Sequence, residues 1–170
     1  MTHAQSTTNS TQKRPSGYTA VTPWIIGRDT AGLLEFLKVG FGAEEIARIP
    51  NADGGIGHAE TRIGDAVVMA FDSPRGWPET PAFIRLYVDD ADASLARALK
   101  GGATEITRVT ALAFGDRVGR VRDPFGNVWW LQTHVEDVAP DEMNARWADP
   151  KWAEAMAYVQ RSLEEALRKA

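Results

Sequence analysis

The sequence predicts an α+β fold: two β-α-β-β-β modules in tandem, followed by C-terminal helices. Three observations carry the prediction. Strand and helix signals recur in one order across residues 18–78 and again across residues 79–137. Directly after the first predicted helix, Gly42-Ala-Glu-Glu-Ile-Ala-Arg-Ile49 aligns with Gly102-Ala-Thr-Glu-Ile-Thr-Arg-Val109, which follows the second. Five of the eight positions are identical, the mark of an internal duplication. Finally, Asp123-Pro-Phe-Gly126 separates two apolar-alternating runs within residues 115–134. Pro presets a turn dihedral there and Gly accepts the positive φ that closes it, so the stretch reads as a β-hairpin.

In chain order, residues 1–17 are Ser/Thr/Asn/Gln-rich with no apolar stretch, and read as a disordered tail rather than a secretion signal. Residues 21–26 are a short β-rich run that Pro23 confines to a strand start or an edge. Asp29 or Thr30 then caps a helix with an apolar stripe of Leu33, Leu34, Phe36, Leu37 and Phe41, closed by Gly40 and Gly42. Residues 45–49 are a second strand, and residues 56–63 and 66–71 pair across a Gly64-Asp65 turn. In the second module residues 82–88 are a strand. A helix over 89–99 follows, capped by Asp89 or Asp90 and closed by Gly101-Gly102, then a strand over 104–110 and the final hairpin.

Side chains alternate along the last strand, so Val128, Trp130, Gln132 and His134 share one face while Trp129, Leu131 and Thr133 share the other. Trp on both faces implies a helical layer behind, which Trp129 joins, and something enclosed in front. Residues 138–170 form a helical extension. A short helix covers 140–147, and Asp149-Pro150 supplies an N-cap followed by Pro at the first helical position. Trp152, Met156, Val159, Leu163 and Leu167 then recur at helical spacing over about five turns. That stripe is expected to pack on its own domain or on a twofold partner, with a ligand lid as the alternative.

Composition excludes several classes. A net charge of −4 and a pI near 5.4 leave no basic block to neutralise phosphates, against nucleic acid as partner. The absence of cysteine removes disulfides, thiolate ligands and Cys nucleophiles. No apolar run approaches the ~20 residues that span a bilayer. The expected compartment is the cytoplasm.

The two modules, the phrase Asp123-Pro-Phe-Gly-Asn-Val-Trp-Trp130 and the phrase Gly57-His-Ala-Glu-Thr-Arg-Ile-Gly-Asp65 together resemble the vicinal oxygen chelate superfamily. Phe41-Gly-Ala-Glu44 and His134-Val-Glu-Asp137 place the likeness in its PhnB-like, glyoxalase/bleomycin-resistance branch. The likeness spans residues 18–137. It implies an open, incomplete barrel of mixed sheets around a cavity, with helices outside, frequent homodimers, and a ligand between modules or between chains. Enzymatic members hold a divalent metal with His, Glu or Gln from the first and last strands of each module. Carried over, those positions fall on Thr22, Met69, Phe83 and Trp130, none of which suits such a cation. A slip of one residue gives Ala82, Val68 or Ala70, and Trp129 or Leu131, with the same outcome. Neither a metal nor another cofactor is therefore expected.

If those positions face the cavity, so do Trp24, Ile26, Val67, Phe71, Arg85, Tyr87, Val128 and Gln132. The Gly64-Asp65 turn sets Arg62 opposite Val67, Glu60 opposite Met69 and His58 opposite Phe71, which brings His58, Glu60 and Arg62 to the same face. The expected ligand-binding set is Trp24, His58, Glu60, Arg62, Met69, Phe83, Arg85, Tyr87, Trp130 and Gln132. His134 is a further candidate at the end of its strand. Arg117, Arg120 and Arg122 read as a solvated edge, with an anion site as the alternative.

Two functions fit this profile. One is metal-independent binding of a small organic, aromatic-containing molecule, stacked on Trp24, Phe83 and Trp130, with Glu60 facing a ligand cation and Arg85 or Gln132 its polar edges; sequestration or antibiotic resistance would follow by mass action. The other is a glyoxalase-like lyase or isomerase in which His58 or Glu60 is the general base. A third reading has the cavity filled by its own aromatics, with function at the surface through the C-terminal helix.

Overall fold

The computed structural model describes residues 13–168; the part of the expected tail before Lys13 lies outside them. The first module consists of β1 (Trp24–Gly27), α1 (Thr30–Phe41), β2 (Glu44–Pro50), β3 (Ile56–Ile63) and β4 (Ala66–Asp72). The second consists of β5 (Phe83–Tyr87), α2 (Ala91–Lys100), β6 (Thr104–Ala111), β7 (Asp116–Arg122) and β8 (Val128–His134). α3 (Pro140–Ala148) and α4 (Pro150–Arg168) follow. The strands form two four-stranded sheets with the same topology, β1-β4-β3-β2 and β5-β8-β7-β6. In each, the first strand runs parallel to the last and the remaining pairs are antiparallel. Neither sheet closes on the other.

Local chemistry explains the boundaries. Asp29 and Asp90 are the N-caps, accepting from Gly32 N at 2.8 Å and Ala93 N at 2.9 Å. β1 begins three residues later than Val21, because Pro23 has no N–H to give a ladder; its carbonyl instead accepts from Met69 N at 2.9 Å. The Gly64-Asp65 turn sets Ile63 against Ala66, Arg62 against Val67 and Glu60 against Met69, in the expected register. Asp149 caps α4 through Lys151 N at 2.9 Å.

One core serves both modules. Ile25, Leu33, Phe36, Leu37, Val68 and Ala70 of the first pack with Leu95, Ala98, Val121, Trp129 and Leu131 of the second. α1 and α2 meet at two small residues, Gly40 and Ala98; a Cβ on Gly40 would lie 3.5 Å from the Ala98 Cα. Trp129, fully buried, contacts Phe41 across the module boundary at 5.0 Å between ring centroids. Its indole N–H donates to Asp123 Oδ2 at 2.8 Å. Asp123 also accepts from Phe125 N, Asn127 N and Asn127 Nδ2 at 2.8–2.9 Å. Asn127 in turn accepts from Ala82 N at 2.9 Å, tying the hairpin to the start of β5.

α4 packs on its own chain, across the face of the second sheet opposite α2. Thr107 and Ser162 hydroxyls lie 2.8 Å apart, Arg120 Nη1 donates to Val159 O at 2.8 Å, and Arg122 Nη2 donates to Ala166 O at 2.9 Å. Val159 is buried with Leu112 and Val118, and Met156, Tyr158 and Trp130 pack around them. The solvated edge expected for Arg117, Arg120 and Arg122 is corrected here. Arg117 pairs with Asp92 at 2.7 Å, but Arg120 is only 2% exposed because α4 covers it.

Removing the Asp123 carboxylate strands four donors, three of them buried. Asp123→Ala is therefore expected to destabilise the fold by about 4 kcal/mol, at the upper end for single substitutions, and Asp123→Asn by less. Urea denaturation followed by Trp fluorescence measures both.

Candidate functional site

Because α1 and α2 take one face of each sheet, the site residues expected from the sequence fall on the other. On the first sheet, Trp24, Met69 and Glu60 form a row across β1, β4 and β3, with Ala47 next on β2. His58 flanks the row: its Nε2 lies 3.0 Å from Glu60 Oε1, and its ring meets Trp24 edge-on at 5.6 Å between centroids. Phe71 meets Trp24 at 5.6 Å and Trp77, in the linker, at 6.3 Å. Trp24 is 46% exposed. Arg62 points toward the N-terminal segment and donates to Gly17 O at 3.0 Å. Val67, assigned to the same open face, is fully buried.

Sequence reasoning missed Tyr18. Its hydroxyl donates to Glu60 Oε2, so both carboxylate oxygens are engaged. The Tyr18 hydrogen bond, and then that from His58, hold the Glu60 carboxyl below its ordinary value, while the same contact pushes the Tyr18 phenol up. A long-range pairing between a loop tyrosine and a strand carboxylate leaves no periodicity to find it by.

On the second sheet the equivalent row is Arg85, Trp130, Arg120 and Thr107 across β5, β8, β7 and β6. Phe83 meets the Trp130 ring at 6.0 Å between centroids. The Arg85 and Arg120 guanidinium carbons lie 4.6 Å and 3.6 Å from the Trp130 centroid. Phe83 and Tyr87 are 50% and 67% exposed, against the enclosed interior expected for them. Gln132 is buried and its amide is taken by Asp116. His134 is exposed between Asp116 (Nδ1 to Oδ1, 2.6 Å) and Asp137 (Nε2 to Oδ1, 3.1 Å), and those carboxylates raise its pKa. It fastens β8 to the start of β7 and lies apart from the aromatic rows.

At the module junction a cavity of ≈ 510 Å³ between Phe41, residues 63–66 and residues 85–90 is lined by Arg85 and Tyr87 of the expected set. A second cavity there, of ≈ 370 Å³, lies between the β1–α1 corner, residues 79–81 and the β7–β8 turn, lined by Ile26, Asp29, Thr80 and Phe125 among others. This second one contains none of the ligand-binding residues expected from the sequence. The positions to which the resemblance carries the metal ligands are Thr22, Met69, Phe83 and Trp130. Among the described residues no three His, Asp or Glu side chains converge so as to hold a metal ion. The donor set does not fit the family's divalent cation.

Residues 17–131 match the Glyoxalase/Bleomycin resistance protein/Dioxygenase superfamily. The chain belongs to that superfamily. It is 37% identical over 137 residues to an uncharacterized protein of Mycobacterium bovis, a match covering 74% of this chain and 90% of the relative. Among solved structures of this superfamily fold, TioX from Micromonospora sp. ML1 superposes with a TM-score of 0.60 at 24% identity, over 69% of this chain and 99% of that one. A PhnB protein from Bacillus cereus superposes at 0.52 and 15% identity, over 68% and 99%. At those identities the two structures bear on the fold alone. Among the described residues no helix is long and apolar enough to cross a membrane.

Two pH dependences follow. Glu60 has a lowered folded pKa, so its contribution is present above the ordinary carboxylate range and is lost as pH falls through the lowered value. Tyr18→Phe is expected to move the Glu60 titration toward its ordinary value by 13C NMR, and to reduce thermal stability at neutral pH more than at acid pH. His134 has a raised folded pKa, so its contribution is complete below the ordinary histidine value and is lost as pH rises through the raised one. The stability difference between wild type and His134→Gln is expected to shrink between mildly acid and alkaline pH in thermal melts.

Proposed function

We propose that this superfamily member is a metal-independent binding protein for a small, aromatic-containing organic molecule, acting in the cytoplasm by sequestration. The observation that carries the reading is the exposure of Trp24, Phe83 and Tyr87 on sheet faces that α1 and α2 leave uncovered and that α4 covers only on the β6–β7 side of the second sheet. Large aromatics on open strands are costly to hydrate and offer stacking surfaces, each contact worth about 0.5–1.5 kcal/mol beyond area burial. A second copy, bringing its second sheet over the first sheet of its partner, would convert the two half-open faces into enclosed sites; Trp77 would then serve as an interface anchor.

The state of Glu60 supports binding over catalysis. A general base works best with a pKa near the operating pH, whereas Tyr18 and His58 hold this carboxyl down and occupy both oxygens. The ion is better suited to fixing the orientation of a ligand than to taking a proton.

The test is calorimetric titration with the planar neutral probe 2-naphthamide, alongside light scattering for the dimer. Binding is expected in protein stripped of metal and unchanged by added Zn, Ni, Mn or Fe(II). Trp24→Ala is expected to weaken it by about tenfold and Glu60→Gln only modestly. Turnover of α-ketoaldehyde–thiol adducts that disappears in Glu60→Gln or His58→Gln, or one tightly held metal per chain, would replace this reading with an enzymatic one.

A further inference from the structure

We propose that the ligand is an organic anion, its carboxylate or equivalent group seated at the Arg85–Trp130–Arg120 row beside α4. This deepens the small-molecule reading above and rests on it. Among the described residues neither guanidinium in the row has a carboxylate partner. Arg28, Arg48, Arg117, Arg146 and Arg168 pair with Asp or Glu, while Arg62, Arg97, Arg108 and Arg122 reach only neutral acceptors but are not buried as Arg120 is. Arg120 has only neutral acceptors, Thr107 Oγ1 at 3.0 Å and Val159 O at 2.8 Å. A guanidinium taken out of water without a counter-charge is destabilising unless something compensates it. Burial, with the Arg85 charge beside it, pulls the Arg120 pKa down to about 10.

The orphaned donors point to the same place. Of three buried side-chain polar atoms without a partner among the described residues, two are Arg120 Nε and Trp130 Nε1, side chains in stacking contact. Native structures rarely leave such atoms unpaired without a reason. Both residues line a groove of ≈ 510 Å³ whose other wall is α4, with Leu163 and Leu167 providing apolar surface and Glu164 tied to Arg168. Glu60, at the position in the first sheet equivalent to Arg120, is already satisfied by Tyr18 and His58. The unanswered charge is therefore on the cationic row. Arg85, exposed on β5 with its guanidinium carbon 4.6 Å from the Trp130 centroid, meets the anion first. The floor donors are closed from water, so the anion reaches them only if the last turn of α4, which Arg122 fastens through Ala166 O, moves aside.

The test is calorimetric titration of the full chain at low salt with 2-naphthoate, the neutral 2-naphthamide and the cationic 2-naphthylmethylammonium, which share one aromatic body. Naphthoate is expected to bind at least tenfold more tightly than the amide, with the cation weakest. Arg85→Gln, an exposed substitution that leaves folding intact by circular dichroism, is expected to erase the preference. Amide or cation binding as tight as naphthoate, or a preference that survives Arg85→Gln, would overturn the anion assignment and leave the small-molecule reading standing. No binding by any of the three would remove both.

Discussion

The architecture depends on a core shared between the two modules, with Trp129 at its centre. Its ring reaches Phe41 of the first module while its N–H is held by Asp123 in the last hairpin. A buried indole needs a partner for its one donor, and Asp123 supplies it while closing the hairpin and, through Asn127, fixing the start of β5. The same packing commits one face of each sheet to α1 and α2. The opposite faces then have no helix of their own module to cover them, and the proposed binding residues lie there.

The duplicated modules use those faces differently. The first keeps a carboxylate, Glu60, in a closed network with Tyr18 and His58, and leaves Trp24 open to solvent. The second places a guanidinium at the equivalent position and covers it with α4, so that helix carbonyls stand where an anionic partner would be expected. Arg122 donating to Ala166 O serves an orphan carbonyl in the last turn of α4, whereas Arg120 donates to a carbonyl well inside the helix. The extension is thus both a structural layer and one wall of a groove. It answers in part the reading in which the chain fills its own cavity: α4 takes the β6–β7 side of the second sheet, while Phe83 and Tyr87 near β5 remain exposed.

The elements and their order were legible in the sequence because each rests on local rules. Asp at two N-caps, Gly after each of the first two helices, Asp-Pro-Phe-Gly in a turn and the alternation that separates Trp129 from Trp130 are all decided within a few residues of themselves. The register of β3 on β4, and with it the face occupied by Glu60, followed from the two-residue turn at Gly64-Asp65. Family membership was legible for the same reason, since its phrases coincide with these turns and strand ends.

What tertiary structure decided is which groups end up beside one another across long separations. Tyr18 meets Glu60, Arg120 meets Val159, and Gln132 is drawn into Asp116 and out of the open face. An arginine in a charged strand looks solvated until a helix some forty residues later lies on it. Periodicity specifies that α4 has an apolar stripe; only the packed molecule specifies that the stripe covers the second sheet and leaves two cations around one indole. The sequence alone thus determined the fold and the sheet face on which the residues of the proposed site lie. The chain's three-dimensional path determined the charge state and accessibility of that site, because those depend on desolvation and on partners that local sequence does not encode.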